Sequence, residues 1–234
     1  LRFHTQTGGA TLTAQQPLNN VIRTTLQAMS AVLGGTQSLH TNSYDEALAL
    51  PSEEAVEIAL RTQQIIGYES SAADTIDPLA GSYFIEHLTD RVEKEAWAYI
   101  EQIEELGGAL VGIEQGFPQR EIQESAYRLQ MQAEANDRII VGVNQFATKT
   151  EVDADILRVD PELGARRKTE MTAMKSNRDQ EAVTESLRKI RIAAHNDENM
   201  MPLLIEAVEV YTTVGEICTV LREEWGEYQE VMTI

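Results

Sequence analysis

The stretch LGGTQSLHTNSYDEALALP, Leu33 to Pro51, decides how this chain is read. It has the rhythm of a strand between two helices, with Gly34-Gly35 closing the helix before it and Pro51 at the threshold of the one after. Its middle, however, carries Thr36, Gln37, Ser38, His40, Thr41 and Asn42, where a strand of a buried parallel sheet would carry branched aliphatics. Burying such groups unpaired costs on the order of 1–3 kcal/mol each. The strand therefore implies partners, either its own polar neighbours at a strand end or something polar in the space it faces.

Outward from this stretch the pattern is regular. LRFHTQT alternates with period two, Leu1, Phe3 and Thr5 against Arg2, His4 and Gln6, and predicts a short strand. After the Gly8-Gly9 turn, Leu18, Val21, Ile22, Leu26, Met29, Val32 and Leu33 recur at helical spacing, with Pro17 in the first turn. Asn42 is suited to cap a helix beginning near Ser43, with Asp45 and Glu46 in its first turn, and a further helix is expected from about Ser52. Strand, helix, strand, helix with short glycine-containing links predicts parallel β/α units. The expected fold class is α/β: the C-terminal strands and helices of a TIM (β/α)8 barrel over residues 1–70, then a mostly helical segment over 71–234. In that segment helices are expected over 90–106, 119–134, 161–195 (broken near Gly164 and Ser176) and 202–224, with a lone apolar strand at Arg138 to Phe146. Sites of such barrels sit at the C-terminal strand ends, where His4, Gln6, Asn42 and Glu46 fall.

Composition narrows the classes of function. A formal charge of −19, with five lysines and fourteen arginines, argues against a phosphate-backbone surface, so no nucleic-acid partner is expected. The same acidity fits an acidic soluble surface or adaptation to high salt. No run of 18 apolar residues and no leader pattern is present, so neither a membrane partner nor secretion is expected, and the cytoplasm is the expected compartment. The single cysteine, Cys218, cannot form an internal disulfide and is expected to be a small core hydrophobe; no metal ligand set is expected. The chain opens at Leu1 directly in a strand pattern, which suggests the later part of a longer polypeptide.

Five motifs then carry a resemblance that covers essentially the whole chain. HTQTGGATLTAQQPLNN, GGTQSLHTNSYDEALALP, ALRTQQII, DPLAGSYFIE and RIIVGVNQF resemble, in order and spacing, the large (alpha) subunit of the adenosylcobalamin-dependent acyl-CoA mutases, most closely the methylmalonyl-CoA mutase family. The resemblance implies a barrel threaded by the pantetheine arm of coenzyme A, which would answer why the strand is polar. It implies that Gln37 and Ser38 meet that arm, that His4, Gln6 and Gly9 face the corrin ring with Glu46 and Ala47 nearby, and that Asn42 and Glu46 hold the ribose of the adenosyl group. It implies a radical carbon-skeleton rearrangement of an acyl-CoA, methylmalonyl-CoA to succinyl-CoA foremost, with isobutyryl-CoA and 2-hydroxyisobutyryl-CoA as alternatives. It also implies partners: the acyl-CoA, a separate cobalamin-binding small subunit, and upstream barrel strands or another large subunit, without which this stretch alone would be inactive. Two features depart from the pattern. Ala10 stands where many of these mutases have tryptophan, and the DxHxxG motif that supplies the lower cobalt ligand does not occur. The rival reading is a non-catalytic helical interaction protein, which would have no reason to bring Gln6, Asn42 and Glu46 to one rim.

Overall fold

The structure, a computed structural model, describes residues 2–148, 156–196 and 198–229. It divides into two compact units, one reaching to Leu157 and the other beginning at Arg158.

The first unit opens with β1 (His4–Gln6), crosses over through α1 (Asn19–Leu33), and returns in β2 (Ser38–His40), parallel to β1. His4 stands opposite Ser38 and Gln6 opposite His40, and the ladder runs one step further through Thr7 N–H to His40 O at 3.1 Å. α2 (Glu53–Glu69) follows and packs on α1, its start capped by Ser52 Oγ accepting from Ala55 N–H at 3.3 Å. The predicted strand–helix–strand–helix order is therefore present, as a mostly helical chain with a two-stranded parallel sheet among the described residues.

The face of α1 that packs inward is not its apolar stripe. Asn20, Thr24 and Ala28 are buried, at spacing i, i+4, i+8, whereas Leu18, Ile22 and Leu26 are each more than 60% exposed (65%, 62% and 65%). Small residues let α1 approach Ala55 and Ala59 of α2 closely. Asn20 earns its burial with bonds from Nδ2 to Thr13 O and Tyr44 O, both 2.8 Å, which tie the helix to the loops on either side.

Beyond a helix-free stretch at residues 70–82 come α3 (Tyr83–Glu105), α4 (Ala109–Glu114) and α5 (Phe117–Glu134). The expected strand at Arg138 to Phe146 is instead a tight turn with a single bridge between Val141 and Gln145. Among the described residues no other strand lies beside it to complete a ladder, and the Asn144 side chain holds the turn from within, accepting from Ile140 N–H and donating to Ala133 O and Arg138 O. Arg23 of α1 fastens it by donating to Val141 O at 2.7 Å.

The second unit holds α6 (Pro161–Asn177) and, packed around Ile190, Ala207, Ile217 and Val220, α7 (Gln180–Asn196), α8 (Met201–Glu209) and α9 (Val214–Trp225). Three expectations change here. α6 runs through Gly164 unbroken, because an isolated glycine costs only about 1 kcal/mol in a helix. The expected helix over 202–224 is two, separated at Tyr211, whose φ is 61°, and restarted by Thr213 and Glu216 as a capping box. Cys218 is exposed: Ile217 and Val220 take the inward positions of α9 and leave it outside. Arg178, whose side chain is only 3% exposed, donates to both carboxylate oxygens of Glu216 at 2.8 and 2.5 Å and thereby joins the α6–α7 corner to the start of α9.

Candidate functional site

The polar residues of the two strands separate into two groups, one at each end of the parallel pair. At the N-terminal end, the Gln37 side chain accepts from Phe3 N–H at 2.8 Å and donates to Gly35 O at 2.6 Å, and Thr5 Oγ1 donates to Thr36 Oγ1 at 2.9 Å. Ser38 Oγ and His4 Nδ1 are hydrogen-bonded at 2.7 Å across the pair, both side chains exposed. The alternative that polar side chains satisfy one another is thus realised for these residues.

At the C-terminal end it is not. Asn42 is only 2% exposed, and its Oδ1 accepts from Thr7 Oγ1 at 2.7 Å, yet its Nδ2 is buried with no hydrogen-bond partner. Glu46 is exposed at the rim, and its carboxylate makes no hydrogen bond among the described residues. Gly9 completes the arrangement: a Cβ on it would stand 2.9 Å from Asn42 Nδ2 and 2.9 Å from Glu46 Oε1. An orphaned donor, a free carboxylate and a missing side chain therefore converge on one point.

The local chain explains how. The helix expected from Ser43 does not form; residues 44–50 are turns, and α2 begins only after Pro51. Proline disfavours helical geometry in the residue before it, so the acidic run cannot join α2. The Asn42 side chain consequently caps no helix and turns to Thr7 instead. Asp45, 2% exposed, braces the turn through Ser52 N–H donating to its Oδ2 at 2.8 Å. Glu46 also borders an open cleft of about 600 Å³ between the end of β2 and α2, walled by His40, Thr41, Leu50 and Gln63.

The structure thus brings Gly9, Asn42 and Glu46 together, leaves Gln6 exposed at the end of β1 and Ala47 exposed beside Glu46, and holds Gln37 at the opposite end of the pair; His4, expected at a C-terminal strand end, is instead the first residue of β1 and pairs with Ser38. Thr7, which sequence patterning did not single out, and Asp45, which it placed in the first turn of a helix, are the buried supports of the site. Among the described residues no cluster of three or more His, Cys, Asp or Glu could hold a metal ion, and no helix is long and apolar enough to cross a membrane.

With this geometry in place, comparison with known proteins is informative. The family model for methylmalonyl-CoA mutase matches residues 1–227. The chain belongs to the methylmalonyl-CoA mutase family. Among its relatives are the 2-hydroxyisobutanoyl-CoA mutase large subunit of Aquincola tertiaricarbonis, 44% identical over 98% of this chain and 41% of that one, and the methylmalonyl-CoA mutase of Escherichia coli (strain K12), 44% identical over 97% of this chain and 32% of that one. The methylmalonyl-CoA mutase large subunit of Propionibacterium freudenreichii subsp. shermanii is 40% identical over 97% of this chain and 32% of its own. The chain thus spans about a third to two fifths of these mutase-family relatives (32% to 41%).

Proposed function

We propose that this chain is the part of an adenosylcobalamin-dependent acyl-CoA mutase that receives the cofactor's ribose at one strand end and the coenzyme A arm along the strand pair. The observation that carries the reading is the meeting of Gly9, Asn42 and Glu46. A ribose presents neighbouring hydroxyls, each both donor and acceptor, and an amide N–H beside a carboxylate is the complementary pair. The unpartnered Asn42 Nδ2 and the space left by the absent Gly9 side chain support such a fit, and a scaffold protein has no use for either. Gln6 and Ala47 are proposed to line the rim toward the corrin, with His4 two residues behind Gln6 on the same face of β1, and Gln37 and Ser38 to meet the pantetheine. Residues 37 to 42 of an extended strand cover on the order of 16 Å, which suits an elongated ligand.

When bound, adenosylcobalamin would supply the radical chemistry that rearranges the acyl carbon skeleton. The residues of this chain hold the ribose in place and fix the acyl-CoA relative to the cofactor. The reading includes terminal β/α units of a barrel over residues 1–70, completed by further barrel strands, and a separate cobalamin-binding subunit; the large-subunit names among the relatives support that division. The favoured reaction is methylmalonyl-CoA to succinyl-CoA. A 2-hydroxyisobutyryl-CoA substrate is the second reading, favoured by the Aquincola relative at 44% identity.

The test is turnover by the complete large subunit assembled with its cobalamin-binding partner and adenosylcobalamin, for wild type and Glu46→Ala. Methylmalonyl-CoA turnover that drops on the order of a hundredfold in the variant is the expected result. Turnover of 2-hydroxyisobutyryl-CoA alone would favour the second reading. Absence of turnover with every branched acyl-CoA would overturn both in favour of an interaction protein.

A further inference from the structure

Resting on the ribose-holding reading of Asn42 and Glu46, the geometry assigns to Thr7 the role of a positioning residue that fixes which end of the Asn42 amide faces the ligand. Thr7 is buried just past β1, where its N–H continues the ladder to His40 O. Its hydroxyl grips Asn42 twice: Oγ1 accepts from Asn42 N–H at 2.9 Å and donates to Asn42 Oδ1 at 2.7 Å. One of its two lone pairs is engaged by the backbone, and among the described residues its proton finds no acceptor other than the Asn42 side chain, where the atom that can take it is the amide oxygen. Asn42 is therefore locked with Oδ1 inward and Nδ2 toward Gly9 and Glu46.

The orientation decides what the site can bind. With Nδ2 toward Gly9 and Glu46 the site offers one donor beside one carboxylate acceptor, so one hydroxyl of a vicinal diol can accept from the amide while its neighbour donates to Glu46. With the amide reversed, Oδ1 would lie beside the Glu46 carboxylate, giving acceptors only, and one diol oxygen would lose its donor. Nothing else among the described residues holds the amide, since Nδ2 has no partner. The polarity of the site is thus set by a residue that never touches the ligand.

The test compares the affinity of the assembled enzyme for adenosylcobalamin with that for methylcobalamin, which lacks the adenosyl group and its ribose, followed by cobalamin absorbance. Thr7→Val removes the hydroxyl at nearly constant volume and Thr7→Ser retains it. Thr7→Val is expected to weaken adenosylcobalamin by about tenfold while leaving methylcobalamin unchanged, and Thr7→Ser to behave as wild type. In an Asn42→Ala background, Thr7→Val should add no further loss, because the residue it positions is gone. Equal weakening of both cobalamins, failure of Thr7→Ser to restore the difference, or an additive loss in the double variant would overturn the assignment. If Glu46→Ala and Asn42→Ala reduce the adenosylcobalamin preference but Thr7→Val does not, the positioning role alone fails; if none of the three changes it, the ribose reading fails as well.

Discussion

Gly9 shows what a single residue contributes by having no side chain. A methyl group there would come within 2.9 Å of both Asn42 Nδ2 and Glu46 Oε1, closer than side-chain carbons ordinarily approach, so Gly9→Ala must displace one of them. Asn42 is clamped by Thr7 whereas Glu46 is exposed, so the carboxylate moves, and the loss falls on the site rather than on folding. Gly9→Ala is expected to weaken adenosylcobalamin binding by the assembled enzyme about tenfold, the effect of a lost hydrogen bond to a charged group, with little change in melting temperature. Unchanged affinity would show that the ligand does not use this point. At this scale the sequence was informative in kind and silent in pairing. The motifs bring forward Gly9, Asn42 and Glu46, but Asn42 reads equally well as a helix cap, since capping and binding a threonine use the same amide chemistry. Thr7 was not legible at all, because its meaning lies in a contact with a residue 35 positions away.

Most elements with long periodicity were legible, although the pattern over 202–224 breaks into two helices at Tyr211, and short runs were misread. α1, α2, α3 and α5 follow their apolar spacing, whereas Arg138–Phe146 is an apolar run whose Gly142 takes a φ of 82° and turns the chain back on itself. A short run of β-branched residues cannot tell a strand from a turn without knowing whether a partner lies alongside. α6 offers a clean check on helix energetics. Nothing lies within 4 Å of a Cβ placed on Gly164, so Gly164→Ala should stabilise the second unit by about 0.5–1 kcal/mol in urea unfolding; destabilisation would contradict an open, regular helix there. The Arg178–Glu216 pair makes the opposite prediction. The Arg178 hydrogen bonds hold the Glu216 carboxyl well below its ordinary value of 4.5, assisted by the Thr213 backbone and hydroxyl and by Lys175, against the cost of partial burial. The folded unit thus binds this proton less readily than the unfolded chain, so the pair's contribution is complete above about pH 5 and is lost as pH falls below it. Glu216→Gln, which strands a buried guanidinium, is expected to cost roughly 2–3 kcal/mol at pH 7. That gap should narrow as the pH is lowered below 4.5, because the unfolded wild-type chain then takes up a proton on this carboxyl that the folded unit still excludes; a gap constant with pH would mean that the pair does not titrate as argued.

For the whole molecule the decisive feature is apolar surface set against charge. The first unit exposes Leu18, Ile22 and Leu26 along α1, and Phe84, Val92 and Trp97 on α3, a helix with no buried residue; its two strands each present an open edge among the described residues. Such edges and stripes ordinarily pair with further structure, which is what the additional barrel strands of the proposed reading would provide. The net charge of −19 opposes association between copies. Apolar attraction acts at contact and is little affected by moderate salt, whereas the repulsion is screened over about 10 Å at 0.1 M and about 3 Å at 1 M. The isolated chain of 26.1 kDa is therefore expected to sediment increasingly as oligomers when salt is raised from about 0.01 to 1 M, the reverse of what an assembly held by ion pairs would do. Leu18→Glu with Ile22→Lys, on a face that contributes nothing to the α1–α2 contact, should restore the monomer without lowering the melting temperature. A compact monomer at every salt concentration would mean that these faces need no covering, and would remove the structural reason for expecting the further strands of the proposed reading to lie against them.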